Sequence, residues 1–302
     1  MKHLFILNPT AGGGRKISIG RTQILQTMAQ QDLSWELYET TAPKDATRKI
    51  QETANEGAPL RVYACGGDGT LNECVNAAVG VPHVAVTSFP LGTGNDFIKS
   101  FSDGGASFFH LPSLITGREI ALDVIDTGGH FGLNICSVGL DARIANDVHN
   151  FSWIPGVRGK SAYYASLVSN VLRGISEELE VTVNDLTLQK QFTLICVCNG
   201  RHYGGAFTPV PDARPDDGLL DILLVNKVSR RAVGKLVKTY AKGAYQNIPH
   251  LITPMRASEI SIRAAQDFTV NIDGETYKQS EVHFRVLPAA LRFFAPQKLD
   301  FT

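Results

Sequence analysis

Three glycine-rich segments follow short apolar runs in the first hundred residues, and this repetition constrains the fold more than any other feature. The glycine-rich segments span residues 8–14, 66–73 and 90–97. The strand-like runs span residues 4–7, 35–38, 60–64 and 83–89, and helical patterns cover residues 17–31, 44–55 and 71–79. Strands that alternate with helices predict a doubly wound α/β domain, a parallel sheet with helices on both faces. Such sheets bind ligands beyond the carboxyl ends of their strands, which is where these glycines fall.

The second part of the chain has a different pattern, because strand-like runs dominate after residue 119. They span residues 121–126, 131–136, 179–183, 187–197, 219–225, 259–263, 268–272 and 283–286, with helical patterns at 161–172 and 229–242. The run at 268–272 alternates apolar and polar side chains, which is typical of antiparallel, half-buried strands. We therefore predict an α/β domain over residues 1–122 and a β-sandwich over residues 123–288, with residues 289–302 returning to the first domain.

Composition and charge exclude several classes of protein. The 302 residues carry 29 basic and 29 acidic side chains, and this lack of net charge argues against a nucleic-acid partner. The apolar run at residues 4–7 is too short for a signal peptide, and no run approaches the ~18 residues of a transmembrane segment. The five cysteines form no CxxC pair, so we expect reduced, buried thiols in a cytoplasmic protein.

The glycine-rich segments have the composition of a phosphate-binding site. Glycine lets the backbone approach a phosphate closely, amides at a helix N-terminus meet its oxygens, and Thr70 and Thr93 add hydroxyl donors. Asp68 and Asp96 lie in two of these segments. A carboxylate repels a phosphate unless a cation lies between them, so the pair indicates Mg²⁺. One such turn is more often only a turn, but three at successive strand ends favour a ligand.

Other familiar motifs are missing from the sequence. Neither GxxxxGK[ST] nor GxGxxG is present, which argues against P-loop nucleotide hydrolases and Rossmann dehydrogenases. The eight histidines show no HExxH spacing, and no serine lies in a GxSxG elbow, so zinc enzymes and acyl hydrolases are disfavoured.

Two of the segments resemble known kinases. Residues 66–70, Gly-Gly-Asp-Gly-Thr, resemble a nucleotide-binding signature shared by diacylglycerol kinases, sphingosine kinases, NAD kinases and phosphofructokinases. Residues 90–96, Pro-Leu-Gly-Thr-Gly-Asn-Asp, resemble more selectively the diacylglycerol kinase catalytic family, especially its soluble bacterial lipid-kinase branch. Further matches follow in the family's order over about residues 3–295: Asn8-Pro-x-Ala-Gly, Gly139-Leu-Asp-Ala142, Asp217-Gly-Leu-Leu-Asp221 and Asp273-Gly-Glu275.

The resemblance implies an ATP-dependent lipid kinase with an NAD-kinase-like or phosphofructokinase-like α/β domain and a β-sandwich that receives the lipid. The default reaction is phosphorylation of diacylglycerol to phosphatidic acid in the cleft between the domains. The residues implied for the ATP site are Asn8, Pro9, Thr10, Ala11, Gly12, Thr40, Gly66, Gly67, Asp68, Gly69, Thr70, Leu71, Asn72 and Thr93. Thr40 is assigned through its spacing to Ala46, and the neighbouring Thr41 is the alternative.

The same resemblance implies roles for three carboxylates in catalysis. Asp68 and Asp96 would organise the catalytic Mg²⁺, partly through water, and Glu275 would be the general base on the lipid hydroxyl. A base of this kind typically contributes about 10²–10⁴ in rate. The local sequence leaves another interpretation open, because Asp-Gly before Glu275 is also a common exposed hairpin turn.

A second, structural Mg²⁺ is implied by the resemblance alone. It would bind the Asp217 side chain and the main-chain carbonyls of Arg214 and Leu219. Without the resemblance, residues 211–218 are turn chemistry throughout, and a plain loop is the alternative.

The helical pattern at residues 229–242 is a candidate for transient contact with a membrane. Its basic side chains are Arg230, Arg231, Lys235, Lys238 and Lys242, and its other face is apolar, a pattern that can lie on anionic lipid. A solvated basic face over a packed apolar stripe is the alternative. Rival docking residues are Arg15, Lys16, Arg158 and Lys160, and Trp153, Tyr163 and Tyr164 are either interfacial anchors or core.

Two other functions compete with a lipid kinase. An NAD kinase shares residues 66–70 but should lack residues 90–96. A nucleotide-binding or lipid-binding protein without turnover has no need of Asp68, Asp96 and Glu275 together. The sequence leaves open the lipid, its acyl chains and the oligomeric state, although an edge strand of the second domain could pair into a homodimer.

Overall fold

The computed structural model describes residues 1–12, 14–152, 166, 169–170, 174–205 and 207–301. Of the helix predicted at residues 161–172, these ranges include only Ser166, Ser169 and Asn170. Several residues considered for membrane contact lie outside the described ranges, namely Trp153, Arg158, Lys160, Tyr163 and Tyr164.

The N-terminal part is built on adjacent parallel strands. They are β1 (Lys2–Leu7), β2 (Ser34–Glu39), β3 (Leu60–Gly66) and β4 (Val84–Pro90), in the spatial order β2-β1-β3-β4. The helices that follow the first three strands are α1 (Gly14–Met28), α2 (Asp45–Ala54) and α3 (Asp68–Ala78). Because β1, β3 and β4 are parallel neighbours, their carboxyl ends share one edge, and the three glycine-rich segments start at that edge.

Helix α3 begins at Asp68, before the predicted start at residue 71. Gly67 precedes it in an extended conformation, and Asp68 lies in the first turn, where a carboxylate interacts favourably with the exposed amides. Helix α1 also begins earlier than predicted, at Gly14 instead of residue 17. The first two glycine-rich segments therefore lead directly into helices, which brings helix N-termini to the strand ends.

The remaining elements are mainly antiparallel strands. In chain order they are α4 (Leu111–Ile115), β5 (Arg118–Asp126), β6 (Phe131–Gly132), β7 (Ile135–Gly139), α5 (Leu140–Ser152), β8 (Glu177–Val183), β9 (Leu186–Cys198), β10 (Leu220–Asn226), α6 (Val233–Tyr240), β11 (Ile252–Ala257), β12 (Glu259–Ile272) and β13 (Glu275–Ala295). Both β7 and β8 lie between β9 and β12. Side chains of β9 alternate between two apolar cores, with Ile195 and Val197 in one and Cys196 and Cys198 in the other. All five cysteines are buried free thiols, as predicted.

Strand β13 connects the two parts of the molecule. It pairs first with β12 and then with β5, and its residues Arg292 and Phe293 also pair in parallel with β4. Phe293 and Phe294 are fully buried in the N-terminal core, where Phe293 contacts the ring of Phe101. The end of β13 thus lies in the N-terminal sheet, while the domain limits at residues 122 and 288 stay predictions.

The predicted strand at residues 131–136 is two separate strands, β6 and β7. The main-chain amides of Leu133, Asn134 and Ile135 donate to the carboxylate of Asp273 instead of to a neighbouring strand. The Asp273 carboxylate, which is far away in sequence, therefore interrupts the strand that the sequence predicts over residues 131–136.

The structure differs from the predicted strands in three other places: two strands have a different extent, and one strand was not predicted. The runs at 259–263 and 268–272 form the single strand β12, with an irregular register between Arg263 and Phe268. Strand β13 is much longer than the predicted 283–286. Strand β11 was not predicted, since Pro254 and Arg256 break its apolar pattern; proline is tolerated there because β11 lies at the edge of the sheet.

Candidate active site

Main-chain hydrogen bonds join the second and third glycine-rich segments at the sheet edge. The amides of Leu91 and Gly92 both donate to the carbonyl of Gly66, at 2.9 and 2.8 Å. The first segment joins them through Asn8, whose side-chain amide donates to the Thr70 hydroxyl at 3.2 Å. The structure therefore brings the three predicted segments together.

The close approach of these segments depends on glycine. A Cβ atom at Gly92 would lie 2.4 Å from the Cα of Gly67, and one at Gly12 would lie 1.9 Å from the carbonyl oxygen of Leu91. Both neighbours are backbone atoms, which cannot rotate away as a side chain can. Gly12 also has a φ of +58°, which other residues rarely adopt. The glycines thus let backbone strands and loops touch at the edge.

The residues predicted to line an ATP site differ in exposure. Pro9, Thr10, Gly69 and Thr93 are exposed, and Ala11, Gly67 and Asn72 are partly exposed. Leu71 is buried in the N-terminal core, so its side chain is not available to a ligand. A ligand can therefore reach the exposed members directly.

Thr40 lies at the end of β2 beside the first glycine-rich segment. Its amide donates to the carbonyl of Leu7 at 3.0 Å, next to Asn8. Thr41, the alternative, uses its amide and hydroxyl on the Asp45 carboxylate at 2.9 and 3.1 Å. Thr41 therefore helps to begin helix α2, which leaves Thr40 as the better candidate for the site.

Asp68 has a perturbed carboxylate at this edge. Burial raises its pKa from 3.8 to about 6, the nearby Asp96 and Asp273 carboxylates add to the rise, and main-chain amides of Asp96 and Asn95 oppose it. A Cβ atom at Gly94 would lie 2.5 Å from the Asp68 Oδ2 atom, so glycine keeps that oxygen accessible. A partly buried carboxylate next to another carboxylate is stabilised by a cation, and oxygen ligands suit Mg²⁺.

These residues fit a magnesium ion that is completed by other ligands. In the described ranges, no three His, Cys, Asp or Glu side chains form a group that could hold a metal. Magnesium typically binds one or two carboxylates and takes its remaining oxygens from water and a substrate phosphate. Asp68 fits that pattern.

Asp96 connects the site to the antiparallel part of the molecule. It is 5% exposed, and its Oδ1 atom accepts a hydrogen bond from Lys99 Nζ at 2.5 Å. Its Oδ2 atom accepts the amide of Gly205 at 2.9 Å, from the loop between β9 and β10. Both oxygens have protein partners, so a metal contact through water suits Asp96 better than direct ligation, and its metal role stays a prediction.

The sequence did not identify Lys99 or Gly205 as part of the site. Lys99 follows Asp96 by three residues in a short 3₁₀ helix, a spacing that puts side chains on one face and could have indicated the ion pair. Gly205 had no such signal, because the contact depends on how the two parts of the chain pack.

Asp273 fixes the turn before the predicted base; the sequence placed it in a family motif but predicted no role for it. Its carboxylate accepts the amides of Leu133 at 2.6 Å, Ile135 at 2.9 Å and Asn134 at 3.0 Å. It also accepts the side-chain amide of Asn72 at 3.1 Å. Asn72 follows Asp68 by one turn of α3, so both lie on the same helix face. The turn is therefore joined to the helix that carries Asp68.

Glu275 begins β13 immediately after that turn and is exposed. Gly274 before it has a φ of +100°, and its amide donates to Asn271 Oδ1 at 2.9 Å. Glu275 pairs with Ile272 across the hairpin. Its carboxylate is thus presented to solvent from a turn that is fastened to α3, and its role as a base stays a prediction.

The residues predicted for a second magnesium ion lie in the loop before β10. The contacts of the Asp217 side chain do not favour a divalent ion, and the roles of the Arg214 and Leu219 main-chain carbonyls stay predictions. Arg214 donates twice to Asp216, at 3.0 and 3.1 Å. Asp217 accepts the Leu219 amide at 3.1 Å on one oxygen and the guanidinium of Arg256 on the other.

Helix α6 is shorter than the predicted 229–242, and its apolar stripe belongs to the core. Val233, Leu236 and Tyr240 are buried, whereas Lys235 and Lys238 are exposed. The structure has the arrangement given as the alternative, a solvated basic face over packed apolar side chains. No helix within the described residues is long and apolar enough to cross a membrane.

Two family models match the sequence and together cover most of it. Residues 2–127 match the diacylglycerol kinase catalytic domain. Residues 134–295 match the YegS C-terminal NAD kinase beta sandwich-like domain. The second match covers the antiparallel strands from β7 to β13, for which a β-sandwich was predicted.

Relatives and solved structures agree with these matches. Proteins described as "putative lipid kinase" from Staphylococcus aureus strains JH9 and N315 are each 26% identical over 239 residues, which cover 79% of this chain and 78% of theirs. A crystal structure described as a "putative diacylglycerol kinase" from Bacillus anthracis has a TM-score of 0.78 at 22% identity and covers 99% of this chain and 98% of that one. Another from the same organism has a TM-score of 0.76 at 24% identity, with 97% and 96% covered. At such identities these structures share the fold.

Proposed function

Because the chain belongs to the diacylglycerol kinase catalytic family, we propose that it transfers the γ-phosphate of ATP to the hydroxyl of a lipid, with diacylglycerol as the default acceptor. The observation that carries this proposal is the partly buried Asp68 carboxylate at the start of α3, which lies beside Asp96 where three glycine-rich segments meet. The lipid-kinase class is supported by the names of the relatives, and the doubly wound sheet expected of this family belongs to the same proposal.

The nucleotide would lie along the edge formed by β1, β3 and β4. Main-chain amides at the start of α3 and the exposed Thr93 would meet the phosphates. Asp68, with Asp96 acting through water, would hold a magnesium ion. When bound, that ion offsets the negative charge on the transferred phosphoryl group.

The lipid hydroxyl would meet Glu275. A hydroxyl must lose its proton as it attacks phosphorus, and a carboxylate within hydrogen-bond reach accepts that proton. Asp273 acts on Glu275 indirectly, because it fixes the turn and joins it to Asn72 of α3. The geometry of this turn would therefore set the distance between base and phosphate.

Access to the lipid would occur at a membrane surface, through transient contact by a cytoplasmic protein. The exposed side chains of Lys235 and Lys238 are candidates for electrostatic docking, at about 1 kcal/mol each. The packed apolar side of α6 would not insert. A homodimer through the edge strand β11 stays a further proposal.

The test is transfer of radiolabelled γ-phosphate from ATP and Mg²⁺ to mixed micelles of diacylglycerol, with NAD offered in parallel. The native protein and a Glu178→Gln variant, which changes an exposed glutamate of β8, should label the lipid equally. Glu275→Gln should lose at least about 10²-fold in rate while it binds ATP normally. Label in NAD alone, or unchanged lipid labelling by Glu275→Gln, would contradict the proposal.

A further inference from the structure

Arg256 of β11 binds two carboxylates of the loop and strand before it. It lies directly opposite Asp221 in the antiparallel pair of β10 and β11, and its Nε atom is 3.1 Å from Asp221 Oδ1. Its Nη2 atom donates to Asp217 Oδ2. One guanidinium thus spans the first and last residues of the segment Asp217-Gly-Leu-Leu-Asp221.

This arrangement occupies the position that the family resemblance gives to a structural magnesium ion. The Asp217 carboxylate is the only side-chain ligand of that predicted site. Its Oδ1 atom accepts the Leu219 amide and its Oδ2 atom faces Arg256. A divalent ion on the same carboxylate would lie against the guanidinium, and two positive charges at contact distance repel each other.

We propose that Arg256 supplies the positive charge at this loop in place of a divalent metal ion. The planar guanidinium presents several N–H donors in a fixed fork, so it can hold two carboxylates at once. Lysine, as a single point charge, cannot reproduce that geometry.

The position of this loop matters to the fold because the loop contacts three other elements. Its Gly218 amide donates to Asp123 Oδ2 at 2.7 Å, and the Asp123 amide donates to the carbonyl of Pro215 at 2.8 Å. The other Asp123 oxygen accepts the amide of Ala289 at 2.8 Å. Arg256 therefore stabilises a loop that touches β5 and β13 as well as β10.

The experiment is thermal unfolding of the nucleotide-free protein with either excess EDTA or millimolar Mg²⁺. It compares the native protein with Arg256→Met and Arg256→Lys. The matched control is Arg263→Met, which removes an exposed arginine from an equivalent cross-strand pair with Glu281. All variants are also measured in an Asp68→Asn background, so that metal at the candidate nucleotide site does not contribute.

In the Asp68→Asn background, the protein that keeps Arg256 should have the same unfolding temperature in EDTA and in Mg²⁺. Arg256→Met should unfold several degrees lower in EDTA and regain part of that loss in Mg²⁺, Arg256→Lys should be intermediate, and Arg263→Met should show no metal dependence. The proposal is overturned if, in the Asp68→Asn background, EDTA destabilises the protein that keeps Arg256 and Asp217→Asn abolishes that effect, or if Arg256→Met behaves like Arg263→Met. None of these readouts needs turnover, so the proposed kinase activity can fail separately.

Discussion

The main-chain amide of Asp96 donates a 2.6 Å hydrogen bond to the carboxylate of Asp68. This bond joins the third glycine-rich segment to the first turn of α3, and it keeps two acidic residues close together. Part of the raised pKa of Asp68 comes from the Asp96 carboxylate, so the fold holds like charges near each other. Arrangements of this kind cost stability and are concentrated at functional sites.

Replacing Asp68 by asparagine should therefore stabilise the metal-free protein at neutral pH. A carboxyl whose pKa is raised on folding binds protons more tightly in the native state than in the unfolded state. Its contribution to the free energy of unfolding therefore falls as the pH rises from 3.8 to about 6, and it stays low above that pH. A rise of about two pKa units corresponds to roughly 3 kcal/mol of lost unfolding free energy. Asp68→Asn should regain this free energy at pH 7.5, where Asp68 is ionised, but not at pH 3.5, where it is protonated.

The measurement is urea unfolding of both proteins at several pH values in EDTA. Asp32→Asn, at an exposed position, is the control and should follow the native protein. A stability difference between Asp68→Asn and native protein that does not change with pH would show that Asp68 is not strained.

The pH profile of kcat/KM should have an acidic limb that reports the ionisation of the Asp68 carboxyl. Only ionised Asp68 can hold a cation, so kcat/KM should fall about tenfold per pH unit below pH 6. Because protons and metal compete for one carboxylate, higher Mg²⁺ should move this limb to lower pH. If the pH of this limb did not change with the Mg²⁺ concentration, a group other than Asp68 would be titrating. The groups that face Asp68 are Asp96 and Asp273, which raise its pKa, and the amides of Asn95 and Asp96, which lower it.

The positions of the glycine-rich segments could be predicted from the sequence, and the reason is local. Parallel strand–helix units put successive strand ends at one edge, so segments 8–14, 66–73 and 90–97 had to meet there once β1, β3 and β4 were neighbours. The sequence predicts the starts of α1 and α3 too late because glycine and aspartate are typical of turns, although both are tolerated at a helix N-terminus.

The contacts between the two parts of the chain could not be predicted in this way. Asp96 meets Gly205, Asn72 meets Asp273, and Asp217 meets Arg256 through packing of segments far apart in sequence. None of these pairs has a spacing that a helix or strand period would reveal. Burial, which sets the pKa of Asp68, also follows from that packing and from no local pattern.

Gly92 should not tolerate alanine. The added Cβ would lie 2.4 Å from the Cα of Gly67, so the second and third segments would have to separate. We expect a loss of about 1–3 kcal/mol in the free energy of unfolding, and weaker ATP binding because the segments no longer converge. Gly69→Ala is the control for stability, since nothing lies within 4 Å of its Cβ and alanine favours a helix by about 1 kcal/mol. Equal unfolding free energies for the two variants would contradict this account of the loop contact.

Asp273→Asn should disconnect the turn that carries Glu275 from helix α3. The carboxylate accepts three main-chain amides and the Asn72 side chain, and an asparagine NH₂ group would face donors where an acceptor is needed. We expect a loss of about 2–4 kcal/mol in unfolding free energy, as for a partly buried charged acceptor removed from its donors. Asp185→Asn, in the exposed β8–β9 turn, should stay within about 0.5 kcal/mol of the native protein. If Asp273 only stabilises the fold, kcat at a temperature where the variant is folded will be native. If it positions Glu275, kcat will fall while the affinity for ATP is unchanged.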